Sequence, residues 1–484
     1  TPFYSMFFLV GLSTMLIILF LLFPNTGINI GKLQLNFISK KEFYKPIIKT
    51  NQVVELPINI DSLKEVDQHI QDSIEKVKQI LFQKYLDSVL IAEKRIQYPN
   101  NDVSILYPFF EKLLNAKTNK VRIMHYGDSQ IEADRISGRL RERLQKEFGG
   151  YGSGLNAVIP ATRKISVRNK LSNNWVRRTG FGPYVDTIVK HKNYGAIFSF
   201  CEITPDTNLL DSVFYDGIIK IYKPIKSYKK ARNFQELNIY YSSIEESYIN
   251  YTINDTIIFL DTLNSTNSIK KKSLSFNKAP ESIEIQIKSS ISPLIYGLSL
   301  EGENGIVVDN IPLRGASGTE FAKIDYSSLK QMHHLLMPDF FILEFGGNAI
   351  PHIKNKDRAK NYGKYFKKQI NKIKKINPKS IVLVIGPGDM AKKEKTELIS
   401  YPLIEEVRDA LKKAAFETNS CFWDMYLNMG GENSIIDWSK KTPSLAARDY
   451  IHFTNKGARK IADLFIEDFM NDFKNYLENK NENQ

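Results

Sequence analysis

Ser129 closes the stretch Gly127-Asp128-Ser129, where a strand-like run from Val121 gives way at once to a strongly helical one. A serine at such a corner has two readings. Its hydroxyl can cap the helix by accepting from orphan N–H groups. Aimed outward from a strand-to-helix turn, it can instead attack a carbonyl carbon, and the helix N-terminus then favours the charge that develops. The second role needs a base, which histidine normally supplies. Of the seven histidines, His69 belongs to a separate helix and His191 to a β-rich stretch. His125 sits on the strand that leads to the serine and cannot fold back onto it. His333 and His334 precede the strand at Asp339, at its wrong end. His352, just past Gly346-Gly347-Asn348, is left open by its position. His452 lies in "ARDYIHFTNKGARK" with Asp449 three residues ahead of it. That spacing lets a carboxylate hold the imidazole tautomer while the other ring nitrogen faces the serine.

Acyl transfer also needs donors aimed at the developing oxyanion. Two loops offer them. "RGASGT" has Gly315 and Gly318, where a missing side chain lets the backbone N–H approach closely, and "FGGNAI" has the Asn348 amide beside Gly347. Each loop alone is more often just a turn. Gly318 better fits the Ser-Gly-Thr form of its block, though the spacing leaves Gly315 and Gly318 both open as the donor.

The elements that must carry these groups are α/β in texture from about Pro108. Val121–Tyr126 reads as a strand and the following run as a helix with Ile136, Leu140 and Leu144 on one face. "GIVVDNI", "DFFILEFGGN" and "SIVLVIGPGDM" are apolar runs that each end in a glycine-bearing loop, as buried parallel strands do. Loops at the carboxyl ends of such strands line the ligand crevice. Between residues 165 and 300 the texture changes to short alternating strands rich in Ile, Tyr and Phe, which predicts an inserted β-sandwich. "DYIHFTNKGARKIADLFIEDFMNDF" runs from the histidine loop into a closing amphipathic helix.

With 484 residues, 42% hydrophobic and 25% charged, the chain is globular and large enough for more than one domain. Its net charge of +14 is spread as Lys through Lys/Asn/Ile-rich stretches and suits anionic surroundings. It forms no basic stripe interleaved with aromatics, which argues against nucleic acid as a partner. No His/Asp/Glu cluster has ligand spacing, so no metal or other cofactor is expected. Cys201 and Cys421 match no metal or redox spacing and read as buried free thiols. Phe3–Phe23 carries no charge and is long enough for a membrane span. It reads as an uncleaved anchor, followed by an amphipathic stalk helix on Leu63, Val66, Ile70, Ile74, Val77 and Leu81.

The blocks Gly127-Asp128-Ser129, Gly315/Gly318, Gly347-Asn348 and Asp449-x-x-His452 resemble those of the SGNH (GDSL-type) hydrolases. The resemblance covers roughly residues 108–165 and 301–475. It implies a flavodoxin-like three-layer α/β/α sandwich with a parallel sheet and an ester-cleaving activity. Ser129 would be the nucleophile, His452 the base and Asp449 its orienting acid. The Ser129 N–H, Gly318 or Gly315, and Asn348 would form the oxyanion hole. Gln130 stands where lipase-like members have Leu, and Ala349 where an acidic residue often follows the Asn; both argue against a generic lipase. An anchored domain of this type with a β-sandwich insertion is similar to bacterial peptidoglycan O-acetylesterases, whose inserted module resembles a carbohydrate-binding domain.

The expected organisation is therefore an anchor over 1–24 and a linker and stalk over 25–107. The catalytic domain follows over 108–165 and 301–475, interrupted by the sandwich at 166–300, with a disordered tail over 476–484. The implied reaction removes acetyl groups from a cell-envelope glycan, with the membrane as a second partner and the body outside the cytoplasm; the alternatives are an O-acetyltransferase acting on an exported polysaccharide and a membrane-tethered carbohydrate-binding protein.

Overall fold

The computed structural model describes residues 7–8, 10–16, 18, 28–30, 33–35, 75–83, 90, 92–182, 185–205 and 214–482. The chain divides into two compact units, Thr1–Lys84 and Tyr85–Gln484. In the first, residues 7–8, 10–16 and 18 are helical, Ile28–Ile30 pairs antiparallel with Leu33–Leu35, and residues 75–83 are helical. Among the described residues no helix is long and apolar enough to cross a membrane. The expected anchor is only partly described, and most of the expected stalk helix lies outside the described residues.

The second unit is built on a five-stranded sheet. Its core elements, in chain order, are α1 (Tyr107–Leu114), β1 (Lys120–Gly127), α2 (Arg135–Phe148) and β2 (Gly305–Pro312). There follow α3 (Tyr326–Leu336), β3 (Phe340–Glu344), α4 (Lys356–Ile376) and β4 (Ile381–Ile385). The set closes with α5 (Ile404–Phe416), β5 (Cys421–Trp423) and α6 (Asn455–Glu482). The strand order is β2-β1-β3-β4-β5, every pair parallel. This is the doubly wound order whose chain direction switches between β1 and β3, and ligands bind where the switch opens a crevice.

Alternation along each strand sends neighbouring side chains to opposite faces. Val121, Ile123, Phe340, Ile342 and Leu383 meet Phe109, Leu140 and Phe465 on one side, under α1, α2 and α6. Met124, Tyr126, Phe341, Leu343 and Val382 face the other way, toward α3, α4 and α5. That second layer is shared with the insertion. Phe198, Phe200, Tyr240 and Tyr296 belong to the same core, and the Tyr126 hydroxyl donates to the Ala196 carbonyl at 2.9 Å. Truncating one such buried aromatic costs about 3–5 kcal/mol, so the insertion is packed as part of this layer.

The insertion is a sandwich of antiparallel sheets. One runs in the order 257–263, 247–253, 282–289, 215–222, 168–171, and the other 266–275, 236–243, 294–301, 199–203, 175–179. The second sheet also takes in Gly154–Asn156, ahead of the expected boundary at 166. Ile219, Ile249, Ile285 and Leu237 fill the space between the sheets.

Three expectations need correction. The helix after Ser129 does not begin at once: a 3-10 turn, Ser129–Asp134, intervenes, broken at Glu132 and Ala133. Ala133 and Asp134 are left-handed, at φ 57° and 63°. That turns the Asp134 carboxylate into a buried pair with Arg141, at 2.6 and 3.0 Å. The tail expected over 476–484 is helical through Glu482, because Tyr476 is buried against Tyr107, Phe110 and Phe473. Finally, residues 96–107 belong to the body and not to a linker: Ile96, Tyr98 and Leu106 are buried, and Gln97 exchanges backbone hydrogen bonds with Phe422.

Candidate active site

β1 ends at Gly127 beside Glu344 of β3, so the turn carrying Ser129 and the loop carrying Asn348 open from neighbouring strands at the switch point. A Cβ on Gly127 would lie 3.0 Å from the Glu344 carbonyl, which is why the turn starts on glycine. Asp128 then caps the 3-10 turn, its Oδ1 accepting the Gln130 N–H at 2.9 Å. This leaves the Ser129 side chain free to point into the cleft.

The Ser129 hydroxyl meets His452 Nε2 at 2.7 Å, and His452 Nδ1 meets Asp449 Oδ2 at 2.7 Å. The other Asp449 oxygen accepts the backbone N–H groups of Ile451 and His452 at 3.0 and 2.9 Å. Partial burial raises the Asp449 carboxyl, but these donors and the imidazole outweigh it and hold the group below the ordinary range. An ionised Asp449 fixes the tautomer with Nε2 turned to the serine. His352 lies on the wall of the same cleft, outside this hydrogen-bonded chain. His125 is buried between Glu344 (3.1 Å) and Ser137 (2.9 Å), and His333 between Tyr126 (3.2 Å) and Asn377 (2.9 Å).

Asn348 is held by donating from Nδ2 to Asp128 Oδ2 and to the Ala316 carbonyl, both at 3.0 Å. Asp128 is buried, and burial pushes its carboxyl up to about 7 against the two N–H donors that favour its ionised form. The glycines of the second loop differ. Gly318 is buried at φ 80°, and a Cβ there would lie 2.5 Å from the Phe366 ring. Gly315 is exposed, also left-handed at φ 75°. Gly318 is thus required by packing, and Gly315 is the accessible one.

Two residues that the sequence did not single out as functional tie the halves of the site together. Gln130 Nε2 donates to the Ile451 carbonyl at 2.6 Å, and its Oε1 accepts the Phe453 N–H at 3.4 Å, so it clasps both neighbours of His452. Arg135 donates to the Phe453 carbonyl at 2.6 Å and to the Ser129 carbonyl at 2.9 Å. The signal for Gln130 was present, since a polar residue stands where lipase-like SGNH hydrolases have Leu; Arg135 reads as an ordinary helix residue. The cleft itself is about 200 Å³, lined by Phe345, Pro351, Pro387, Met390 and Met425 with Ser129 and His452. That is below the roughly 300–1,000 Å³ of sites for larger ligands and suits a short acyl group.

Among solved structures the chain is similar to a peptidoglycan O-acetylesterase, at 19% identity over 76% of this chain and 96% of the other, with a TM-score of 0.58. The fold is that of an SGNH hydrolase. Weaker likenesses include an acetyl xylan esterase (19% identity, 34% of this chain and 80% of the other, TM-score 0.24). Another is a family two carbohydrate esterase from Clostridium thermocellum (10% identity, 57% of this chain and 98% of the other, TM-score 0.25). No family model matches the chain, and no curated protein does. In the SGNH fold the four sequence blocks fall at the carboxyl ends of β1, β2 and β3 and on the loop before α6. Ser129, His452 and Asp449 meet in one chain of hydrogen bonds; Asn348 joins them through Asp128, and Gly315 and Gly318 flank the Ala316 carbonyl that Asn348 binds.

Proposed function

We propose that the protein is a serine esterase that removes O-acetyl groups from a cell-envelope glycan. The observation that carries the reading is the unbroken chain Ser129–His452–Asp449 in a cleft sized for a short acyl group. Ser129 Oγ attacks the acetyl carbonyl as His452 Nε2 takes its proton. The protonated imidazole then passes that proton to the sugar oxygen, which leaves as a free hydroxyl. Water, deprotonated by the same imidazole, releases acetate from the acetyl-enzyme and restores Ser129. The backbone N–H groups of Ser129 and Gly315 and the Asn348 amide stabilise the oxyanion, Asn348 giving up its bond to the Ala316 carbonyl. An Asp128 near 7 puts less negative charge beside that oxyanion than a fully ionised carboxylate would.

The likeness to a peptidoglycan O-acetylesterase supports a peptidoglycan-like substrate. On this reading the sandwich is the carbohydrate-binding part and the body lies outside the cytoplasm, where such a polymer would be met. The test is acetate release from O-acetylated peptidoglycan and from a small acetyl ester, by the wild type and by Ser129→Ala. Release from both substrates, lost at least about 10⁴-fold in the variant, is expected. Turnover retained by Ser129→Ala overturns the assignment.

A further inference from the structure

Beside the site, three adjoining cavities follow the segment from Asn156 to Lys170, where the sandwich leaves the catalytic layer. Lys164 lines all three, and Arg163 and Arg168 line two. Lys170, Arg177 and Lys226 complete the set, while no Asp, Glu or aromatic residue lines any of them. The two larger cavities measure about 350 and 530 Å³. None of the six cations forms an ion pair among the described residues. At the inner end Asn310 is 2% exposed, and its Oδ1 has no hydrogen-bond partner, nor has Arg177 Nε or Thr162 Oγ1. At the outer end the trench touches Ala133, in the turn that starts at Ser129, and Asn455, which opens α6 just past His452.

Arg163, Arg168, Lys170 and Lys226 are exposed and Arg177 is half-buried; only Lys164 is buried, donating to the Asn310 carbonyl at 2.7 Å and to Asn156 Oδ1 at 3.3 Å. The buried Arg122 and Arg141, by contrast, each hold carboxylates. We propose that this trench binds an anionic stretch of the glycan substrate, a run of sugars carrying carboxylates, and leads it to Ser129. The proposal rests on the esterase reading and adds the charge class of its substrate. Nucleic acid would call for aromatic faces on which bases stack, and the lining has none. Recognition here runs through charge, with Arg163 and Arg168 presenting planar forks suited to carboxylates. Burial lowers the Lys164 ammonium to about 8, and an anion beside it would favour its charged form.

The experiment measures binding to the full chain carrying Ser129→Ala, so that hydrolysis plays no part. The probes are polygalacturonate, its fully methyl-esterified neutral form, and double-stranded DNA of similar length. Polygalacturonate should bind, weakening at least about tenfold between about 50 and 500 mM NaCl, with the neutral polymer at least about tenfold weaker. Adding R163E, R168E and K226E should abolish binding while thermal unfolding stays that of the parent. If the triple variant unfolds early, K226E alone must weaken binding at least about threefold. No binding of polygalacturonate, equal binding of the neutral form, or DNA binding as tight as polygalacturonate overturns the proposal. Binding of polygalacturonate together with no acetate release by the wild type from O-acetylated peptidoglycan or the small acetyl ester would overturn the esterase reading and leave the trench's preference for anionic glycan standing.

Discussion

The two ends of β1 handle buried charge in opposite ways. Near its start, Arg122 donates to both Asp309 oxygens, at 2.8 and 2.9 Å, and to Glu301, all inside the protein. Glu301 belongs to the last strand of the sandwich, so this cluster ties the insertion to the catalytic sheet. At the other end Asp128 is buried with neutral donors only, the Gln130 N–H and the Asn348 amide. Paired charge holds layers together. A carboxyl without a cation keeps a raised affinity for its proton, and it lies where the chemistry is. Stability and function are therefore separated along one strand.

The largest effect should come from the first end. Arg122→Met leaves Asp309 without its cation and should cost about 3–5 kcal/mol in urea unfolding. A cost below about 1 kcal/mol would erase the contrast. Next come the pH dependences, which should run in opposite senses. Burial raises Glu301, but Arg122 and Lys120 outweigh it and hold it down to about 2 against an ordinary 4.5. Its stabilisation is complete above the ordinary value and is lost as pH falls toward 2. Burial holds Asp128 up at about 7 against an ordinary 3.8. The folded state therefore keeps a proton that the unfolded chain gives up, and stability declines as pH rises from about 4 through 7, by about 2–4 kcal/mol. Asp128→Asn should abolish that decline; unfolding curves that still fall with pH would place its source elsewhere. The smallest effect concerns the clasp. Gln130→Leu removes both bonds to the flanks of His452 and should lower kcat about tenfold, about 1.4 kcal/mol, with unfolding little changed. An unchanged kcat would show that Arg135 suffices to hold the loop.

Much of this was legible in the sequence for a physical reason. Buried parallel strands tend to be continuous apolar runs; β3 and β4 are of that kind, while β1 and β2 are mostly apolar but carry Arg122, His125, Asp309 and Asn310. β5, the three residues Cys421–Trp423, is too short to carry a periodic signal. The delayed start of α2 was hidden because nothing local marks Asp134 as the partner of Arg141, a contact seen only once the helix is folded. Ser129, Asp449 and His452 were readable because their roles need particular residue types at particular corners. The choice between Gly315 and Gly318 was not, since it depends on Phe345 and Phe366 packing against one of them. The trench was invisible for the same reason: its cations come from three separate stretches, each an ordinary solvated lysine or arginine in the linear chain.

The central claim is that His452 activates Ser129, and the most direct test is covalent. The protein would be treated with a 4-nitrophenyl methylphosphonate, and the intact mass and the modified peptide determined. A single adduct on Ser129 is expected, forming at least about 10³-fold more slowly in His452→Ala. No adduct, or one on another residue, would contradict the account.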